Sequence, residues 1–238
     1  LSLLFHPLWD SWLPERQPDI RSTDLMYSSL EGVDLANADM RNANLAQSNL
    51  SASRLRKANL SGTNLFKASL RDCVIDGATM SGTVLSSADL SNASLLDADL
   101  SGANLKDSTM VSSRLSGARL VKAELNGADL EDSIAEGADF TQADLRQTKL
   151  FNASLSGSEF RGANLTKADL RAVKMDGCSL FAANLSGADL DHASFIDADL
   201  RDANLNDTDL RTADLKGAHL AGASYDGAML PGKWPPGA

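Results

Sequence analysis

A chain of 238 residues with 43% apolar and 23% charged residues has the balance of a folded globular protein, which excludes wholesale disorder. Aromatic residues make up only 5%, so a core built around large rings is excluded as well. A formal net charge of −10 argues against direct nucleic-acid binding, which needs clustered Lys and Arg. The chain opens on residues 1–17, where Leu1, Leu4, Phe5, Leu8, Trp9, Trp12 and Leu13 fall at near-helical spacing. Pro7 suits a first-turn position and Pro14 ends such an element, so a short helix is predicted near 7–13, as a cap on the residues from 18 onward. No run nears the eighteen apolar residues that span a bilayer, and no basic, apolar and small-residue leader precedes it, so no membrane span is expected.

From residue 18 to 232 the chain repeats every five residues. Of the 43 positions numbered in fives from Ile20 to Leu230, 32 are Leu and only Ala135 is small. Two residues before each centre the side chain is Ala in 26 repeats, and Ser, Thr, Val or Cys in all others except at Pro18. The residue just before the centre is Asp, Asn, Ser or Thr in 31 repeats, as in Ala98-Asp99-Leu100-Ser101-Gly102 and Ala203-Asn204-Leu205-Asn206-Asp207. Centres five apart would sit about 140° apart round an α-helix and form no stripe, which excludes that element. In an extended strand the small residue and the centre share one face, while the polar residue between them faces out. Sixteen of the seventeen glycines fall two residues after a centre, where a turn needs a positive φ.

These tandem Ala-(Asp/Asn)-Leu-X-X units resemble the pentapeptide-repeat protein family over about nine-tenths of the chain. The resemblance implies an all-β solenoid, a right-handed quadrilateral parallel β-helix with one repeat per side and four per coil. Forty-three repeats then make about 10.75 coils, a rod roughly 50 Å long at the strand spacing of ~4.8 Å. Some members of that family mimic B-form DNA and bind type II topoisomerases such as gyrase, protecting them from inhibitors. Those members dimerise through a C-terminal module and often carry projecting loops. Here the register has no insertion and eight residues follow Leu230, so a monomer is expected.

Departures along the chain are few. Cys73 and Cys178 take small inward sites 105 residues apart, too far to pair, which favours a reducing, cytoplasmic compartment. The leading Leu1 leaves a processed lumenal or periplasmic form open. At Ser133-Ile134-Ala135 the large side chain stands one place early, and Ile134 is predicted to turn at least partly inward to fill the space beside Ala135. Phe140 and Phe160, twenty apart, are expected to stack in the core. Residues 233–238 form a tail, with Tyr225, Leu230 and Trp234 placed to cover the last coil.

The three histidines, His6, His192 and His219, form no pair, and two Cys give no zinc spacing. No phosphate loop, dinucleotide fingerprint or calcium repeat occurs. The expectation is therefore a non-enzymatic protein with no catalytic, cofactor-binding or metal residues and no cofactor. Its role is read as that of a rigid scaffold for protein–protein interaction, with the DNA-mimic role as the alternative. Charge distribution gives the one candidate surface. Assigned modulo twenty, the outward residues of three sides sum to −1, −2 and −1, and those of the side centred on 30, 50, 70 and so on sum to −6. That side carries Asp89, Asp129, Glu131, Asp132, Asp169, Asp189, Asp191 and Asp209, together with Glu31 and Asp72, against Arg71, Lys149, Arg171 and Arg211. It is the candidate protein-binding acidic face, for a partner with a basic surface.

Overall fold

The computed structural model describes residues 18–232 and Trp234. The helix predicted over 7–13, with the rest of the 1–17 cap, lies outside the described residues, as does the tail 233–238 apart from Trp234. Within a repeat, the residue before the centre forms a parallel bridge to the residues twenty before and twenty after it. Asp99, for example, pairs with Thr79 and with Arg119. Two hydrogen bonds carry each such rung: the Leu100 N–H donates forward to the Arg119 carbonyl at 2.7 Å, and the Asp99 N–H donates back to the Ala78 carbonyl at 2.9 Å. Twenty residues therefore close one coil of four sides, and the chain winds into a right-handed quadrilateral parallel β-helix with no helix among the described residues.

Corners are set by the two residues after each centre. The Ala103 N–H reaches back to the Leu100 carbonyl at 3.0 Å, closing a β-turn whose third residue, Gly102, has φ +64°. Every third turn residue from Ser22 to Gly227 is left-handed in this way, with the single exception of Thr212. The polar residue before the centre has a structural task at these corners. Its Oδ1 accepts the N–H of the first turn residue, as Asp99 does from Ser101 at 3.1 Å and Asn164 from Thr166 at 3.1 Å. An Asp or Asn there satisfies a backbone donor that the ladder leaves free, which is why those two residues recur at that place.

Two side chains per repeat point inward. Leu100, Leu120, Phe140 and Phe160 lie in one fully buried column, and the Phe140 and Phe160 rings stack with centroids 4.8 Å apart and planes 5° apart, as expected. Several interior small sites seat a hydroxyl or thiol on a carbonyl within reach, whereas the buried Ser108, Ser113 and Ser133 hydroxyls have no hydrogen-bond partner among the described residues. Thr63 donates to Met40 O at 2.8 Å, and the buried thiols of Cys73 and Cys178 donate to Leu50 O and Leu155 O at 3.0 Å. Burial pushes the Cys178 thiol up to about 12, the level of an inert core group. At the far end Tyr225 and Trp234 meet edge to face at 5.4 Å.

The expectation for Ile134 is overturned. Its side chain is 43% exposed and Ala135 is fully buried, so the large residue points out and the small one in. The ladder explains this: Ile134 bridges Arg114 and Ser154, its N–H donates to Ser113 O at 2.9 Å, and its carbonyl accepts from Leu115 at 2.6 Å. Turning Ile134 inward would invert the alternation of the strand and break those bonds. Within the same coil the next centre is Phe140, whose ring is fully buried.

Candidate functional site

The side centred on 30, 50, 70 and onward is a stack of short strands whose outward residues are spaced by the rungs. Its bridge column runs Asp89, Thr109, Asp129, Lys149, Asp169 and Asp189, joined in successive parallel bridges. The column is interrupted above Asp189: among the described residues no bridge joins it to Asp209, and Asp209 pairs onward with Met229. Thr212 causes the break. A β-branched side chain clashes with the backbone in the left-handed region, so this corner does not adopt it. The Thr212 hydroxyl instead accepts the His192 N–H at 3.1 Å and lies 2.8 Å from Asp191 Oδ1, to which it donates.

The acidic residues predicted for this side all lie on it, and they divide into two groups. Asp89, Asp129, Asp169, Asp189 and Asp209 occupy the bridge column and are met by cations. Arg71 reaches Asp89 at 3.0 Å and Lys149 reaches Asp129 at 3.0 Å. Arg171 forms a two-pronged contact to Asp169, 2.8 and 2.6 Å, and stands 3.7 Å from Asp189. Arg211 grips Asp209 at 2.9 and 2.7 Å. The Arg211 fork, with the Arg211 backbone N–H, holds the Asp209 carboxyl down to about 2. Arg171 likewise holds Asp169 below the usual carboxylate range, against the desolvation of its partly covered site. The like-charge repulsion along this column is thus relieved by the basic residues beside it.

The second group lies at the corner. Glu131, Asp132 and Asp191 have no Lys or Arg ion pair among the described residues. Asp132 accepts from Asn152 Nδ2 at 2.8 Å, and Asp191 has the Thr212 hydroxyl and His192 Nε2, the latter at 3.7 Å. One coil above Glu131 stands Phe151, 39% exposed, with the Arg171 guanidinium of the next coil 5.4 Å from its ring centroid. The arrangement offers fixed carboxylate acceptors and an aromatic surface on a frame whose positions the ladder sets.

Sequence reasoning set Arg71, Lys149, Arg171 and Arg211 against these acids and expected Arg171 and Arg211 to relieve part of the repulsion, but did not give the forked geometry. The signal was present as Asp-Leu-Arg, which recurs at 144–146, 169–171, 199–201 and 209–211 and closes a local ion pair each time, as at Asp199, held down to about 2 by the Arg201 side chain. Among the described residues no group of three or more His, Cys, Asp or Glu is arranged to hold a metal ion, and no helix is long and apolar enough to cross a membrane.

The comparisons agree with this architecture. A family model described as pentapeptide repeats matches in eight copies over residues 28–66, 143–180 and 178–217, and a pentapeptide repeat region model matches residues 83–160. Among solved structures the chain is similar to HetL, a pentapeptide repeat protein involved in heterocyst differentiation regulation from the cyanobacterium Nostoc sp. Strain PCC 7120. That match has 35% identity and a TM-score of 0.63, covering 88% of this chain and 87% of HetL. A trypsin-treated form of QnrB1, a plasmid-mediated fluoroquinolone resistance protein, is 20% identical with a TM-score of 0.39, over 67% of this chain and 91% of QnrB1. A pentapeptide repeat protein from the Arabidopsis thaliana thylakoid lumen is 34% identical with a TM-score of 0.20, over 41% of this chain and 65% of that one. No curated protein matches the chain.

Proposed function

This chain belongs to the pentapeptide-repeat family, and we propose that within it the chain is a non-enzymatic rigid scaffold that docks a basic protein surface on its acidic side. The observation that carries this reading is the uneven charge: outward residues sum to −6 on one side and to −1, −2 and −1 on the others. Solubility alone is met equally well by charge spread over four sides, whereas charge gathered on one side steers a partner to it. Rigidity supports the same role. A parallel ladder with a hydrogen-bonded turn at nearly every corner holds surface groups at fixed spacing, so little conformational freedom is lost on docking. Groups that could do chemistry are committed to the frame: carboxylates close turns and ion pairs, and thiols are buried. The regulatory involvement of HetL is compatible with action through protein contacts. The DNA-mimic alternative draws less support, because three sides are nearly neutral and the bridge column of the fourth is neutralised by Arg71, Lys149, Arg171 and Arg211.

The test is a variant with Asp129, Glu131, Asp132, Asp189 and Asp191 changed to Asn or Gln. Proteins captured from the source lysate by the parent and lost by the variant are purified and titrated against both across a salt series. Binding that weakens with salt for the parent and falls at least tenfold in the variant is expected. Equal affinity and equal salt slope would return this side to the status of a solvated face, and inhibition of gyrase supercoiling by the purified protein would favour the DNA-mimic reading.

A further inference from the structure

Six large apolar side chains stand exposed among the described residues. Met26 and Tyr27 lie in the first described coil and Tyr225 and Met229 in the last. Ile134 and Phe151 lie far from both ends, and they flank one corner. The corner after Leu130 and the corner after Leu150 are in register, since the Asp132 N–H donates to the Phe151 carbonyl at 3.0 Å, and Ile134 bridges to Ser154 just beyond that turn. Phe151 therefore marks the edge of the acidic side, and Ile134 opens the adjacent side one coil below.

The alternation of the strands does not require large apolar residues at either place, because these positions face water throughout the rod and are mostly polar elsewhere. What surrounds them is also distinctive. Glu131, directly below Phe151, and Asp132 make no ion pair with Lys or Arg among the described residues, although Lys149 and Arg171 act on Glu131 at longer range, and Asp129 and Asp169 lie in the neighbouring bridge column. On the other flank Arg114 bridges Ile134 from below. The apolar pair is thus bordered by carboxylates and the Arg171 guanidinium on the acidic side and by Arg114 on the next.

We propose that Phe151 and Ile134 are the anchor of a docking site for a basic protein segment, one that lays Lys or Arg along Glu131, Asp132 and Asp129 and carries an aliphatic or aromatic side chain over the corner. The proposal rests on the scaffold reading above and deepens it, by naming where the partner is held and what it presents. Charge selects this occupant. A second copy docked through the same side would bring equal acidity against this one, and an anionic lipid surface would be repelled by the same carboxylates. Partly exposed aromatic and aliphatic residues ringed by polar groups are the usual centres of interface energy, with the surrounding charges setting orientation and encounter rate.

The test uses defined probes with the full chain: a fluorescein-labelled Lys-Leu-Lys-Phe-Lys-Leu-Lys peptide, a Lys-Ser-Lys-Ser-Lys-Ser-Lys peptide of equal charge, and a Glu-Leu-Glu-Phe-Glu-Leu-Glu peptide. Fluorescence anisotropy is read for the parent and for a Phe151→Ser, Ile134→Ser double variant, whose melting curve checks the fold. Tighter binding of the Lys-Leu-Phe peptide than of the Lys-Ser peptide, lost about tenfold in the variant, is expected, with amide shifts in NMR confined to residues 129–134 and 151–154. Equal binding of both basic peptides, unaffected by the double variant, would overturn the anchor while leaving the acidic docking side intact. Absence of binding by either basic peptide, or shifts confined to the coils of Tyr27 or Tyr225, would overturn both. Binding of the acidic peptide in preference would show the charge argument itself to be wrong.

Discussion

Thr212 is the one β-branched residue at a third turn position, and its corner is the one that leaves the left-handed region. The frame bends around it: no rung joins Asp189 to Asp209, and the Thr212 hydroxyl replaces the Arg211 carbonyl as acceptor for the His192 N–H. Asn adopts the left-handed conformation far more readily than a β-branched residue. Thr212→Asn is therefore expected to restore the rung and to raise stability by about 1 kcal/mol, since each net backbone hydrogen bond contributes about that much and the lost hydroxyl contacts offset part of the gain. Slower amide hydrogen exchange at Leu190 in the variant checks this, and unchanged exchange there would show that the break has another cause. The exceptional residue was visible in the sequence, since the corner positions and their need for a positive φ follow from the glycine spacing. Its effect was not, because it depends on which carbonyl lies in the next coil.

At the scale of the repeat, alternation outranks packing. The sequence predicts an inward large residue and an outward polar one, and at Ser133-Ile134-Ala135 these two preferences conflict. The ladder settles the conflict in favour of register, because turning one side chain inward sacrifices hydrogen bonds to both neighbouring coils. Phe140, the next centre of the coil, is the large buried residue placed to balance the small Ala135. Ala135→Leu is expected to destabilise by about 1–3 kcal/mol through overpacking, and Phe140→Leu to destabilise by opening space. Together they should cost less than the sum of the two, with a coupling of about 1 kcal/mol in a chemical-denaturation cycle. A single Ala135→Leu that stabilises the protein would mean that the space beside Ala135 is empty. Sequence reading made Ile134 the compensating residue because it weighed volume within one repeat, whereas the tube shares volume among four sides. The same limit applies to the corners: Gly117 has φ +71°, and a Cβ there would also collide with the Asp97 carboxylate of the coil below, a constraint visible only once twenty-residue neighbours are paired.

For the whole molecule the five-residue period was sufficient to specify the coil, the core columns and the sides, since each follows from alternation plus a turn at fixed intervals. The acidic side was legible too, because assignment modulo twenty needs only the period. What the period does not reveal is which carboxylates form ion pairs with Lys or Arg. The bridge column does, while Glu131, Asp132 and Asp191 at the corner do not among the described residues, and the exposed Phe151 lies one coil above Glu131. The proposed docking surface is accordingly placed at one corner of the side rather than over the whole of it.

The central claim, that a basic partner docks on this one side of four, is tested most directly by zero-length carbodiimide cross-linking of the rod to a captured and purified partner, followed by mass spectrometry. Cross-links from partner lysines should fall on the acidic side, with Asp132 and Asp191 leading because no Lys or Arg pairs with them among the described residues. Cross-links spread evenly over the carboxylates of all four sides, or gathered on a side other than this one, would contradict it.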